Sequence, residues 1–150
     1  MDVIETIDDL PRAEVSSVVT LGNFDGVHLG HRELFRQTVQ RARQLNARSI
    51  VYTFEPHPLK FLMPDRAPLL LNTSAEKERL IAASHVDLLI RESFTSELAS
   101  MSAGDFVQKT LVNRLKVKHL VVGYDYAFGR GREGDGGFLK KQGETYGFGV

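Results

Sequence analysis

Strand and helix patterns alternate along this 150-residue chain. That alternation predicts an α/β fold, a parallel sheet covered by helices on both faces. Two further observations support it. The strand candidates are short β-branched apolar runs, as buried parallel strands are. The loops after several of them collect glycine, proline, histidine and aromatic residues, which suits the rim beyond the C-terminal strand ends where such sheets bind ligands.

The first strand is Ser17-Val18-Val19-Thr20-Leu21. From Arg32 to Leu45 the apolar positions Leu34, Phe35, Val39, Ala42 and Leu45 mark one face of a helix. A second strand follows over Arg48–Phe54. Residues 55–72 read as irregular and hold four of the chain's five prolines. Thr73-Ser74-Ala75-Glu76 resembles a capping box opening a helix to about Ser84. Val86–Ile90 is a third strand, and Ser102-Ala103-Gly104-Asp105 a second box, opening a helix through Leu115. His119–Val122 is a fourth strand. A glycine-rich stretch, 123–137, precedes a helix from about Gly137 to Tyr146. No internal repeat or interdomain linker interrupts this order, and Gly147–Val150 reads as the start of another strand.

Composition bounds the function classes. Apolar residues make up 42% and charged residues 25%, with 19 basic side chains balancing 19 acidic ones. One domain with a real core fits that length and composition. The balance argues against a general nucleic-acid or membrane-surface binder. The chain has no cysteine, which excludes disulfides and thiolate metal sites. The acidic start Met1-Asp2-Val3-Ile4-Glu5 is not a signal peptide, and no apolar run approaches the roughly 20 residues of a spanning helix. A cytoplasmic protein is expected.

The densest chemistry lies in Thr20-Leu21-Gly22-Asn23-Phe24-Asp25-Gly26-Val27-His28-Leu29-Gly30-His31. Gly22 and Gly26 permit a tight turn and close approach of backbone to a ligand. At a strand-to-helix junction, free N–H groups and the positive helix end attract anions, phosphate above all. The stretch is neither a P-loop nor a dinucleotide fingerprint, since no Gly-Lys-Ser/Thr and no Gly-x-Gly-x-x-Gly is present. Its histidines stand in their place. His28 and His31, three apart in a first helical turn, share a face and can donate to phosphoryl oxygens. The plainer alternatives are solvated or capping histidines, or a metal pair lacking a third ligand.

Two other loops stand out. In Phe54-Glu55-Pro56-His57-Pro58 the prolines stiffen the backbone past a strand. With Phe61 they offer either a flat apolar wall for a fused aromatic ring or a plug for the core. In Gly123-Tyr124-Asp125-Tyr126-Ala127-Phe128-Gly129, Asp125 is either a Mg2+ or substrate contact or an Asx-turn. Tyr126 and Phe128 alternate, one toward a pocket and one toward the core. Arg130 and Arg132 are either a phosphate lid or a solvated loop, and Arg66 is a further phosphate candidate.

The string from Gly22 to His31 resembles the HxGH nucleotidylyltransferase superfamily. Within it the chain is similar to the FMN adenylyltransferase module of the prokaryotic bifunctional FAD synthetases. Three further blocks agree in order: Phe54–Pro58, Leu71-Asn72-Thr73 with Glu76-Lys77, and Val121–Gly129. The resemblance runs from about residue 10 to the end. It implies a Rossmann-like HxGH nucleotidylyltransferase fold, with residues 1–150 forming an FMN adenylyltransferase domain cut short at its C-terminus. The family's Ser-Ser/Thr-x-x-Arg motif and its riboflavin kinase module are absent from this sequence. The implied reaction moves AMP from ATP to FMN, with ATP and FMN as substrates, Mg2+ as cofactor, a kinase module as partner in the intact protein, and neither nucleic acid nor membrane. The implied site has His28 and His31 as catalytic residues and Gly22, Asn23, Phe24, Asp25, Gly30, Gly123 and Asp125 around the nucleotide phosphates. Phe54, Pro56, His57, Pro58, Phe61, Tyr126 and Phe128 would hold the flavin, and Asp125 a metal ion. Two other possibilities stand beside it: another HxGH enzyme, for example one acting on phosphopantetheine, and a flavin- or nucleotide-binding fragment without turnover.

Overall fold

The computed structural model describes residues 1–10, 15–24, 29–55, 74–123 and 126–150. Five parallel strands form one sheet in the order β1-β4-β3-β2-β5. They are β1 (Asp2–Ile4), β2 (Ser17–Leu21), β3 (Arg48–Glu55), β4 (Leu88–Ser93) and β5 (Val117–Val121). Helices α1 (Leu29–Gln44) and α2 (Ser74–Ala82) cover one face. The other face carries α4, one α-turn (Ala103–Asp105) continuing as a π-helix (Phe106–Arg114), together with α5 (Gly136–Tyr146). A short α3 (Ser96–Ser100) and a two-stranded hairpin, β6 (Ala127–Phe128) with β7 (Gly134–Asp135), complete the chain. The predicted parallel sheet with helices on both faces is present.

Alternation along the strands sorts the two cores. Val19, Leu21, Ile50, Tyr52, Phe54, Leu88 and Ile90 face Phe106, Val107, Leu111 and Leu139 of α4 and α5. Val51 and Leu89 face Phe35 and Val39 of α1 and Ile81 of α2, while Val18 and Val121 pack on Ala42. The strand β2 is buried along its whole length, as the β-branched run Ser17–Leu21 predicts for the centre of a parallel sheet.

Several features depart from the sequence reading. The N-terminal Asp2–Ile4 is a strand, paired with Leu88–Ile90 at the sheet edge. Its polar flanks hid it, because what holds it is remote. Glu92 accepts from the Ile7 N–H at 2.7 Å and from the Thr6 hydroxyl at 3.2 Å. Arg114 donates to the Ile7 and Leu10 carbonyls, both at 2.9 Å. The third expected strand starts later and runs on to Ser93, since Arg91 finds Glu5 and Glu78 and can occupy a strand. Ser102 caps the helix as expected: its hydroxyl accepts from the Asp105 N–H, while the Asp105 carboxylate pairs with Lys109 at 3.8 Å. The helix it opens widens into a π-helix, and the glycine-rich stretch contains the β6–β7 hairpin. Gly129 (φ 80°) lies so close to Ala103 that a Cβ there would meet its backbone at 2.9 Å. Thr73 lies outside the described residues.

The pole of the sheet opposite the ligand rim repeats one device. Asn46, His85 and Lys116 end α1, α2 and α4 with φ of 51°, 64° and 49°, left-handed residues that turn each helix into the next strand. The sequence shows this only at Asn46, a residue type that tolerates the conformation. Lys116→Gly is expected to stabilise the fold by about 0.5–1 kcal/mol through relief of its Cβ, read as a raised urea midpoint with an unchanged slope.

Tyr52 supplies a second prediction. Its ring is 1% exposed, and its hydroxyl donates to Glu92 at 3.2 Å. Burial, then the Glu92 charge, pushes its phenol far above the ordinary range. The unfolded chain ionises Tyr52 near pH 10 while the native one does not, so its contribution is complete below that pH and lost as pH rises above it. Urea midpoints measured from pH 8 to 11 should therefore fall less steeply for Tyr52→Phe than for the wild type. Parallel slopes would show that Tyr52 does not carry the effect.

Candidate nucleotide and flavin site

The order of strands reverses between β2 and β5: the chain steps from β2 to β3 to β4, then crosses back to the far side of β2. In open α/β sheets the loops leaving the C-terminal strand ends at such a switch point diverge and bind ligands in the crevice between them. The sequence sends Gly22-Asn23-Phe24 into it from β2, and Val122-Gly123 from β5, where Thr20 and Val121 lie side by side. Loops from neighbouring strands thus put two of the predicted motifs on one rim, and Phe54, next to last in β3, adds the start of the third.

The β2 loop is built on one contact. A Cβ on Gly22 would lie 2.7 Å from the Phe24 ring, so only glycine lets that ring fold back over the strand end. Phe24 takes a φ of 52° to do so and is 3% exposed. Its ring meets the His31 imidazole edge-on, with centroids 5.3 Å apart and planes at 87°, and it meets Phe35 at 4.9 Å. The Phe24 side chain is therefore core. Its service to the site is to shape the loop and to bear on His31, which is half-buried in the first turn of α1. The Gly22 N–H donates to the Tyr52 carbonyl and the Thr53 hydroxyl to the Asn23 carbonyl, both at 3.2 Å, which pins the loop to β3.

The Asn23 amide oxygen is buried and meets no hydrogen-bond donor among the described residues. A buried amide is normally satisfied, and the carboxamide can turn over to present its NH2 end to an anion. Buried Thr20, just upstream on β2, also carries a hydroxyl without a partner among the described residues. Gly30, in the first turn of α1, is exposed. His28, Asp25, Pro56, His57, Pro58, Phe61 and Asp125 lie outside the described residues, as does Arg66. Among the described residues no group of three His, Asp or Glu side chains is arranged to hold a metal ion.

The opposite face of the sheet carries an aromatic layer. Tyr52 contacts Phe54 at 5.1 Å and Phe106 at 5.9 Å, and Phe54 contacts Phe94 at 6.1 Å. Phe106 leads on to Phe128 at 5.5 Å, and Phe128 lies nearly parallel to Tyr126, with centroids 5.8 Å apart and planes at 12°. Phe128 is buried and Tyr126 half-buried. The expectation that one of these rings faces a pocket and the other the core is not met: they stack, because residues two apart along an extended segment lie on the same face. Burial raises the Tyr126 phenol above its ordinary range, so it is a neutral hydroxyl. Phe94, Phe106 and Phe138 join this layer without having been marked by any motif. Each sits in an otherwise ordinary apolar pattern, and only the fold brings them together. Arg130 and Arg132 lie in a turn whose Arg130 N–H donates to the Met101 carbonyl at 2.9 Å.

The chain is similar to known proteins. At 41% identity, the whole chain aligns with 48% of the bifunctional riboflavin kinase/FMN adenylyltransferase of Escherichia coli strain K12. It aligns equally completely, at 39% identity, with 48% of the protein of that name from Buchnera aphidicola subsp. Acyrthosiphon pisum. The chain thus spans about half the length of these relatives. A solved structure described as a macrolide-efflux protein from Streptococcus pneumoniae superposes with a TM-score of 0.80 at 32% identity, over 99% of this chain and 47% of that one. The FAD synthetase family model matches residues 10–150, the span that holds the crevice, the HxGH string and the aromatic layer, and the chain belongs to that family.

Proposed function

We propose that the chain is the adenylyl-transferring domain of an FAD synthetase, moving AMP from ATP to FMN with release of pyrophosphate. The observation that carries this reading is the two-sided rim. An anion-favouring loop with His31 lies on the α1 side of the sheet, and a layer of fused aromatic contacts lies on the other. FMN has one end for each: a flat ring system and a phosphate.

A terminal phosphate oxygen of FMN attacks the α-phosphorus of ATP, the new P–O bond forms, and the bond from that phosphorus to the bridging oxygen of pyrophosphate breaks. No protein nucleophile takes part. Catalysis is positioning plus stabilisation of charge on the phosphoryl oxygens. In this reading His31 and His28 donate to those oxygens. Gly22, Asn23, Asp25, Gly30 and Gly123 shape the phosphate loop, with Phe24 as its internal support. Phe54, Pro56, His57, Pro58, Phe61, Tyr126 and Phe128 hold the flavin. Asp125 would be the residue to hold Mg2+, which would offset the charge of the phosphates. The intact protein adds a riboflavin kinase module, following the names of relatives twice this length, and works in the cytoplasm. No described helix is long and apolar enough to cross a membrane.

The aromatic layer favours a flavin over a flexible substrate such as phosphopantetheine. Titration of FMN fluorescence should show quenching by the chain, and chromatography after adding Mg-ATP should show FAD. Quenching without FAD would mark a flavin-binding fragment without turnover, and absence of quenching would sink the flavin assignment. In the full-length protein, His28→Ala and His31→Ala should each lower kcat by about 100-fold or more while the FMN dissociation constant moves less than about threefold. Equal losses in both quantities would remove the histidines from the transition state.

A further inference from the structure

We infer that Glu133 is a positioning residue for the flavin side of the site, clamping the hairpin that carries Tyr126 and Phe128 onto the start of α4; the inference rests on the FMN adenylyltransferase reading. Its Oε1 accepts from the Ala103 N–H at 2.8 Å, across 30 residues of chain. Ala103 opens α4 and is 1% exposed. The first N–H groups of a helix have no partner within the helix, so this one depends on an acceptor from outside. The local cap, the Ser102 hydroxyl, is occupied by the Asp105 N–H. A carboxylate also suits the positive end of a helix. Glu133 is otherwise an exposed residue of a polar turn.

The turn that presents Glu133 is held against its own preference. Gly131 and Arg132 are consecutive left-handed residues, with φ of 62° and 55°, and in a residue with a Cβ that conformation persists only where surrounding contacts fix it. Here the contacts converge on the junction of α3 and α4. The Arg130 N–H donates to the Met101 carbonyl, and Gly129 packs directly on Ala103. Glu133 adds a side-chain link to this set. The next residue, Gly134, pairs with Phe128 across the hairpin, and a Cβ on Gly134 would lie 2.5 Å from the Phe128 ring. Phe128 in turn contacts Phe106 of α4 and has Tyr126 stacked on it. The clamp is thus one residue from the support of the ring on which half-buried Tyr126 lies. Without the carboxylate the buried Ala103 N–H is left unpaired. Water can replace it only if the turn lifts from α4, because Gly129 is packed against the same residue. Lifting the turn carries Phe128 and Tyr126 with it. FMN binding should weaken, while ATP, which the proposed reading places at the β2 loop on the other side of the sheet, should bind as before.

The test measures dissociation constants for FMN, by fluorescence quenching, and for Mg-ATP, by calorimetry, on the 150-residue chain. Glu133→Ala should weaken FMN by about tenfold, although removal of a negative charge would by itself favour an anionic ligand. Glu133→Asp keeps the charge but falls one methylene short of Ala103, and should weaken FMN by as much. Glu133→Gln keeps an acceptor oxygen at full reach and should stay within about threefold of wild type. ATP affinity should be unchanged throughout. In a Tyr126→Leu background, Glu133→Ala should change FMN affinity by less than about twofold, since the ring it positions is gone. Thermal melts confirm that each variant is folded, and Glu133→Asp is the mild variant if Glu133→Ala fails to fold. Unaltered FMN binding in Glu133→Ala and Glu133→Asp, a Glu133→Gln as weak as Glu133→Ala, equal weakening of FMN and ATP, or a loss that persists undiminished in the Tyr126→Leu background would each overturn the positioning role alone. A wild-type chain that binds no FMN overturns the functional reading and this role with it.

Discussion

Phe24 lies over Gly22 at the end of β2, and most of the site's geometry depends on that packing. The ring can reach the strand end only because Gly22 has no side chain, and it stays there only because Phe24 accepts a left-handed backbone. A bulky residue with positive φ is strained, and strain of about 1–2 kcal/mol persists only where surrounding contacts fix it. Here the contacts are Phe35 below and the His31 imidazole alongside. The same packing that buries an aromatic ring therefore holds a proposed catalytic side chain at the mouth of the crevice.

The sheet separates two chemistries that adenylyl transfer to a flavin must bring together. On the α1–α2 side the rim is polar, with Asn23, His31, Glu55 and Lys77. On the α4–α5 side the buried core is aromatic from Tyr52 through Phe106 to Phe128, and half-buried Tyr126 stacks on its outer end. A substrate with a ring at one end and a phosphate at the other can reach both only by crossing the C-terminal strand ends. The switch between β2 and β5 is where the fold leaves a crevice for that crossing. Glu92 shows how one carboxylate serves the aromatic side without joining it. It ties the Tyr52 hydroxyl to Thr6 and Ile7, so the N-terminal segment braces the layer from outside.

The central strands, α1, α2, the start of α4 and α5 were legible in the sequence, because their signals are local: β-branched runs at Ser17–Leu21 and Arg48–Phe54, helical spacing from Leu34 to Leu45, a cap at Ser102. So was the HxGH loop, whose glycines and histidines carry their chemistry in their identity. What stayed hidden is set by distant partners. β1 exists as a strand because β4 is there to receive it, and its anchors, Glu92 and Arg114, lie far along the chain. The stacking of Tyr126 on Phe128, by contrast, was within reach, since residues two apart in an extended segment share a face. Lys77 reads as an ordinary polar residue of an amphipathic helix until burial and Glu55 are seen together.

The two poles of the sheet treat backbone strain in opposite ways, and the contrast explains where function can reside. At the far pole, Asn46, His85 and Lys116 each adopt a left-handed conformation just after a helix, and the adjoining carbonyls are satisfied by bonds such as Ala47 N–H to Ala42 and His85 N–H to Ala82. These turns are short and closed, suited to holding strands in register. At the ligand pole the one strained non-glycine residue described before α1 is Phe24, and nearby lie buried polar atoms left unsatisfied, the Asn23 amide oxygen and the Thr20 hydroxyl. An unpaired buried polar group costs about 1–3 kcal/mol. At the open pole a bound substrate's own donors and acceptors can relieve that cost at Asn23 and Thr20, beside the loop that the HxGH string begins.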